Sequence, residues 1–311
     1  MSDLVLVKTN EISHDEWLKH RRKGIGGSDI AGIMGLSPFS SPIKVYQDKI
    51  GELPPQEDNE SMYWGRVLED IVAKEFQERT GIKVRRKNAM LIHPEYDYML
   101  ANVDRVVVGA KEGLECKTTS EYMKKEWVEG EEIPAHYLLQ CQWYMAVTGF
   151  KKWHIAVLIG GNKFHFDTVE RDDELIEMMI GQAKDFWENH VLKEDPPAFD
   201  GSKASEELLK QLYPQSDSEK TIYLMNSYEE KLERYDELKE EKKEIETEMK
   251  EIENQIKGEM EDAEVAQTDT RKVTWKTITT NRFNAKKFKK DYPELYEKYS
   301  DDSSYRRFQV K

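Results

Sequence analysis

The chain has 311 residues, 35% of them charged and 38% apolar, with a formal net charge of −14 at pH 7. No apolar run approaches membrane-spanning length, and the opening Met-Ser-Asp-Leu is no signal peptide, so a membrane protein or a secreted one is not expected. Cys116 and Cys141 are the only cysteines, too few for a disulfide framework or a four-cysteine metal cluster, which suits a reducing cytosol. The acidic total looks wrong for a nucleic-acid protein, but the charge is unevenly spread. Residues 201–262 hold 10 Lys and Arg against 19 Asp and Glu, whereas residues 263–311 hold 12 against 7. A local basic lining remains compatible with that total.

Ser13-His14-Asp15-Glu16 reads as a capping box, with Ile12 and Trp17 placed as a hydrophobic staple. The helix it opens is basic at His20, Arg21, Arg22 and Lys23 and stops at Gly24. Gly26-Gly27-Ser28-Asp29 then opens a second short helix through Met34. Glycines before a helix start let backbone N–H groups face an anion, which the helix dipole favours. Gly27, Ser28 and an Arg21 reaching back are therefore a candidate phosphate clamp, against the simpler reading of a helix–turn–helix corner. Gly35 to Pro42 is a Ser/Pro-rich loop, and Gln47 to Glu60 a polar connection.

Residues 61–80 show the period of an amphipathic helix, with Trp64, Leu68, Ile71, Val72 and Phe76 as its apolar stripe. Glu69 lies on the stripe's edge, one turn after Gly65, placed to look into a cleft with Asp104. A strand from Lys83 to His93 follows. Two further strands flank a turn at Gly109 and Gly113, with Asp104 inside the first and Glu115 and Lys117 in the second. Val103, Val106, Val107 and Val108 mark the first as buried. Alternation along a strand puts Glu115 and Lys117 on one face and sends Leu114 and Cys116 into apolar packing on the other. Carboxylates are depleted in strand interiors and costly there unless paired. Two carboxylates and a lysine at one hairpin end are what a metal-dependent phosphodiesterase needs, since Mg²⁺ takes oxygen ligands and substrate phosphates.

Lys124 to Glu132 is polar around Trp127, and Pro134 then begins a helix that Gly149 ends. Its core face is Leu138, Cys141, Met145 and Tyr137. Gln140 and Tyr144 share an adjacent face, a pair suited to hold a phosphate or the attacking water, or else an ordinary surface pair. Residues 153–159 form a buried strand that Gly160-Gly161-Asn162 turns into 163–171. A helix from about 172 to 192 closes this domain, and Pro196-Pro197 with Gly201-Ser202 mark a linker. From 227 to 261 apolar residues recur at three and four among Glu and Lys, giving one charged, coiled-coil-like helix of ~50 Å. A strand at 273–279, a helix at 284–299 and a strand at 305–310 make a small basic β-α-β module. The expected division is thus a nuclease-type domain at 1–200, a linker and long helix at 201–262, and a basic module at 263–311.

Taken together, Gly26-Gly27-Ser28-Asp29-Ile30-Ala31, Gly65-x3-Glu69, Asp104…Glu115-Cys116-Lys117 and Gln140-x3-Tyr144 occur in the order of a known family. The chain resembles the PD-(D/E)xK nucleases and, within them, the YqaJ-like viral recombinase and phage lambda exonuclease family. The resemblance covers residues 13 to 192 and implies an α+β (α/β), restriction-endonuclease-like core, a mixed central sheet flanked by helices. It implies a Mg²⁺-dependent 5′→3′ exonuclease acting on double-stranded DNA ends for phage-type recombination, with two metal ions that Mn²⁺ replaces. A ring-shaped homotrimer, a single-strand annealing partner and a bacterial or phage-infected host cytoplasm are implied as well. By the same resemblance Asp104 and Glu115 are metal ligands with the Cys116 carbonyl as a third, and Lys117 acts on water or phosphate. Glu69 is an outer ligand and Gln140 supports the site, while Arg21, Gly27, Ser28 and Tyr144 contact the DNA or its 5′-phosphate. A PD-(D/E)xK endonuclease and a non-catalytic DNA-end-binding protein are the alternatives. An iron–sulfur nuclease is disfavoured by the two cysteines.

Overall fold

The computed structural model describes residues 4–55, 58–124, 127 and 133–310. Most of the polar stretch expected between Lys124 and Glu132 lies outside them. The chain divides into two compact units, Met1–Tyr213 and Pro214–Lys311.

The first unit is mixed α+β, a mixed sheet flanked by helices. Its main sheet runs β2 (Val84–Arg86), β5 (Arg105–Val107), β6 (Glu112–Thr119), β7 (Lys152–Ile159) and β8 (Lys163–Glu170) in that order. The β6–β7 pair is parallel and the others antiparallel, with Glu115 opposite Ile155 and Lys117 opposite Val157. Parallel neighbours need a long crossover, and here it contains helix α5 (Ala135–Thr148). A second, three-stranded sheet joins β1 (Val5–Val7), β3 (Met90–Ile92) and β4 (Leu100–Asn102).

The single strand expected over 83–93 is therefore two. Arg86 ends β2 against β5, and the chain crosses to the second sheet before Met90. Asp104 sits just ahead of β5 rather than within a strand, and Val108 is 54% exposed beyond its end. Gly109, at φ +84°, makes the turn, while Gly113 lies inside β6. A Cβ on Gly113 would stand 2.3 Å from the Trp153 ring, so only glycine lets that indole cross the strand.

Helix α4 (Glu60–Thr80), capped by Asn59, packs Val72, Ala73 and Phe76 against Leu114 and Ala156, with Cys116 beside them. Each large apolar side chain so buried contributes roughly 1.5–3 kcal/mol. Trp64 and Ile71, expected in that stripe, are 48% and 55% exposed. The residues the helix buries against the sheet, Val72, Ala73 and Phe76, all lie in its second half, while near its start it meets the sheet at Gly65, beside the Thr118 hydroxyl. Helix α5 packs on the sheet and is buried almost all round, from Leu139 to Val147, so Gln140 and Tyr144 are core residues and not a surface pair. Helices α1 (His14–Arg21, with its Ser13/Glu16 capping box), α2 (Gly27–Ile33), α3 (Pro42–Ile50) and α6 (Asp173–Phe186) complete the unit. Helix α7 (Lys203–Leu212) belongs here too, because Ala204 and Leu208 are buried. The unit thus runs on past the Pro/Gly stretch read as a linker.

The second unit begins with α8 (Ser227–Met260). A hairpin of β9 (Val265–Gln267) and β10 (Lys272–Thr274) and two short helices, α9 (Ala285–Asp291) and α10 (Pro293–Lys298), follow it. The expected β-α-β module is corrected on two counts. The first strand pairs with a preceding strand that carried no sequence signal, and residues 301–310 form no regular element. The latter alternate poorly and are exposed almost throughout, so nothing fixes them as a strand.

Candidate active site

Strand β6 and the residue ahead of β5 bring the first group together. Antiparallel pairing of Arg105 with Leu114 sets Asp104 beside Cys116, whose N–H donates to Asp104 Oδ2 at 2.9 Å. Glu115 is 3% exposed. Its Oε1 accepts from Lys117 Nζ at 2.6 Å and from Gln140 Nε2 at 2.8 Å, while its Oε2 is buried without a hydrogen-bond partner. Burial and the neighbouring Glu115 and Glu69 carboxylates push the Asp104 carboxyl well above its ordinary value. Burial opposes the charge on Lys117, but Glu115 and Asp104 outweigh it and raise the ammonium's pKa further. Lys117 Nζ also stands 4.9 Å over the Tyr137 ring.

Glu69 reaches the same neighbourhood from α4 but accepts from Arg105 Nη1, whose other arm meets Asp70 at 2.5 Å. Arg105 is 4% exposed and absent from the sequence reading, where its place beside Asp104 gave no sign of an ion pair across to a helix. Gln140 Nε2 donates to the Tyr144 hydroxyl at 2.7 Å as well as to Glu115. The Tyr144 ring lies against Trp153 (5.1 Å between centroids) and against Gly27, where a Cβ would come within 2.6 Å of it.

A second group surrounds the start of α2. The Asp29 carboxylate accepts from the Gly26 N–H at 2.9 Å and so caps its own helix. It also accepts from Arg21 Nη2 and Lys49 Nζ, each at 2.6 Å. Arg21 Nη1 donates to Asp48 at 2.5 Å, with Lys49 Nζ 3.4 Å from the same oxygen. Burial works to raise the Asp29 pKa, but Arg21 and Lys49 prevail and hold it at about 2. The expected clamp thus meets an arginine already engaged by two carboxylates. The Lys49 side chain is fully buried, which only such pairing permits. Neither Lys49 nor Asp48 stood out in sequence, where Gln47 to Glu60 read as a polar connection; its first residues instead end helix α3, which buries both.

Arg21, Gly26, Gly27, exposed Ser28 and Tyr144 line a cavity of about 110 Å³ with Trp17 and Asn102. Arg21 and Ser28 also border a groove of about 1300 Å³ that reaches Lys117 and Gln140. The groove carries six basic side chains, Lys19, Arg21, Arg22, Lys44, Arg66 and Lys117, against four acidic ones. His136 and Phe39, neither singled out by sequence, line it too. Burial, with Lys117 nearby, lowers the His136 pKa to about 4, and its Nε2 is buried without a partner.

Among the described residues no three His, Cys, Asp or Glu side chains gather into a ready metal cage. Two carboxylates do meet, one with a buried, unpaired oxygen and one whose charge is resisted by its surroundings, and a cation would relieve both. That donor set suits a hard cation that keeps positions for water and phosphate. Asp104 and Glu115 are the carboxylates that could hold it. Among the described residues no helix is long and apolar enough to cross a membrane.

The family model of the YqaJ-like viral recombinase domain matches residues 16–151. The uncharacterized protein YqaJ of Bacillus subtilis (strain 168) is 49% identical over 310 residues, 99% of this chain and 97% of its own length. The uncharacterized protein R354 of Acanthamoeba polyphaga mimivirus is 23% identical over 145 residues, 43% of this chain and 26% of its own. Among solved structures, an alkaline exonuclease (LHK-Exo) from Laribacter hongkongensis superposes with a TM-score of 0.50 at 20% identity, over 64% of this chain and 97% of that one. The same protein has been solved in complex with dAMP. At that identity the likeness is one of fold.

Proposed function

As the chain belongs to the family of YqaJ-like viral recombinase domains, we propose that it is a metal-dependent deoxyribonuclease that digests double-stranded DNA from its ends. The strand degraded is the 5′-ended one, leaving 3′ single-stranded overhangs for recombination by strand annealing. The observation that carries this reading is the meeting of Asp104, Glu115 and Lys117 at one end of a strand pair, with Glu115 Oε2 buried and unpaired.

A divalent cation, Mg²⁺ or Mn²⁺, would supply Lewis acidity toward the phosphate and a more acidic bound water. The chain's own residues do the rest. Lys117, kept charged by Glu115 and Asp104, presents an ammonium to the scissile phosphate and the attacking water. Gln140 fixes the Glu115 carboxylate through the same oxygen that Lys117 holds. Glu69, tied to Arg105, adds negative potential at Asp104.

In this reading the 110 Å³ cavity receives the terminal 5′-phosphate, with Ser28 and the Gly27 backbone as donors and Arg21 as the positive wall. The basic groove carries the strand, offsetting the chain's negative total. Assembly into a ring-shaped homotrimer, a pair of metal ions per site, an annealing-protein partner and a cytoplasmic place of action complete the proposal. So does a modular role for the long helix and basic tail beyond the first unit. The test compares linear and covalently closed circular duplexes with and without Mg²⁺. Mg²⁺-dependent loss of linear DNA alone is expected, and cleavage of closed circles would make the enzyme an endonuclease instead.

A further inference from the structure

We propose that Phe39 and His136 form a base-stacking subsite, receiving a nucleobase that adjoins the phosphate placed at Lys117. The inference rests on the nuclease reading and specifies how the strand is held. Phe39 is 61% exposed, yet its backbone is fixed. Its N–H donates to Ser37 Oγ at 3.1 Å, and its carbonyl accepts from Lys44 Nζ at 3.0 Å. The anchored loop thus holds a phenyl ring at the groove's border with much of its surface open to solvent.

The ring meets His136 edge to face, with centroids 5.7 Å apart and planes at 80°. That contact occupies at most one face of the Phe39 ring. His136 lies 4.0 Å from Tyr137, whose ring stands beneath Lys117 Nζ. An aromatic path therefore leads from the exposed Phe39 to the ammonium in three short contacts. Both residues line the groove that holds Lys117 and Gln140 and in which basic side chains outnumber acidic ones. Within it Asp29 and Asp48 are paired with Arg21 and Lys49, and Arg66 is paired with Asp58. A basic track with aromatic faces beside it is the arrangement that binds single-stranded DNA with little regard for sequence.

The test measures binding of a 5′-phosphorylated, fluorescein-labelled single-stranded oligonucleotide to the full chain, with Ca²⁺ replacing Mg²⁺ to suspend cleavage. The same oligonucleotide carrying one abasic nucleotide at successive positions is measured in parallel. Phe39→Ala is expected to weaken binding about tenfold, the loss of one base–aromatic stack, and Phe39→Trp to restore it. At one abasic position wild type loses the same factor, and Phe39→Ala loses nothing more. Wild-type affinity in Phe39→Ala, or equal loss at every abasic position, overturns the subsite. The rate on linear duplex with Mg²⁺ separates the two claims. A wild-type chain that cuts no DNA removes the function and the subsite together, whereas a cutting enzyme indifferent to Phe39→Ala removes the subsite alone.

Discussion

Gln140 Nε2 is shared between Glu115 Oε1, at 2.8 Å, and the Tyr144 hydroxyl, at 2.7 Å. With Lys117 Nζ on the same Glu115 oxygen, one edge of that carboxylate is fully engaged and the other is left for a cation. The glutamine therefore sets which way the carboxylate faces.

Gln140→Leu keeps the volume and removes the donor. A hydrogen bond to a charged group is worth about 1.5–3 kcal/mol, so DNA hydrolysis should slow by roughly tenfold to a hundredfold. Circular dichroism should show the fold intact. A rate within a factor of two of wild type would mean that Lys117 alone orients Glu115.

Asp104→Asn should abolish hydrolysis while leaving DNA binding. It should also raise the melting temperature of the metal-free protein. The Asp104 carboxyl is pushed above its ordinary value by burial and by Glu115 and Glu69, so its ionised form at neutral pH opposes folding. Scanning calorimetry in EDTA checks the direction, and a lower melting temperature in the variant contradicts it.

The same raised pKa predicts that cation binding displaces a proton. Affinity for Mg²⁺ or Mn²⁺ should rise with pH from the ordinary carboxylate range upward and level off once Asp104 is ionised without help. Titration calorimetry in two buffers of different ionisation enthalpy measures the proton released. Buffer-independent heats at mildly acidic pH would remove Asp104 from the ligand set.

Asp29 behaves in the opposite sense. Its pKa of about 2 lies below the unfolded value near 3.9, so its pairing with Arg21 and Lys49 stabilises the fold fully above about pH 4. The contribution fades as pH falls toward 2. Urea unfolding should show wild type and Asp29→Asn well separated at pH 5, the gap narrowing by on the order of 2 kcal/mol on strong acidification. A gap that stays constant with pH would mean that the cost comes from packing and not from charge.

End recognition is tested with linear duplexes bearing 5′-phosphate or 5′-hydroxyl termini. Wild type should prefer the phosphate, and Ser28→Ala should erase part of that preference, because Ser28 is exposed on the cavity wall. Arg21→Ala is a poorer probe, since it also unpairs Asp29 and Asp48. Equal rates on both ends in wild type would remove the phosphate site.

The carboxylates were legible because an alternating strand with Glu, Cys and Lys at 115–117 leaves little choice of face. The Ser13 capping box, the Pro134-to-Gly149 helix and the long charged helix were legible for the same reason, since each is a local rule. What escaped was set by distant partners. Arg105 and Lys49 look like surface charges until Glu69 and Asp29 are brought to them by tertiary packing. Strands of three residues, such as β1 and β4, are too short to show a period. Trp64 misled because helical period reports a face, not how far along the helix that face is covered.

Tyr144 lines the small cavity with its ring against the Gly27 backbone, and its hydroxyl holds Gln140, which lines the groove, so one buried side-chain pair forms a wall between the two. If one pocket takes the end of the strand and the other takes the bond to be broken, the wall is a ruler. The length removed per turnover is then a property of the fold and does not depend on the DNA sequence. An added methyl at Gly27 would collide with the ring, shift one mark of that ruler against the other, and appear as a change in product length before any change in affinity.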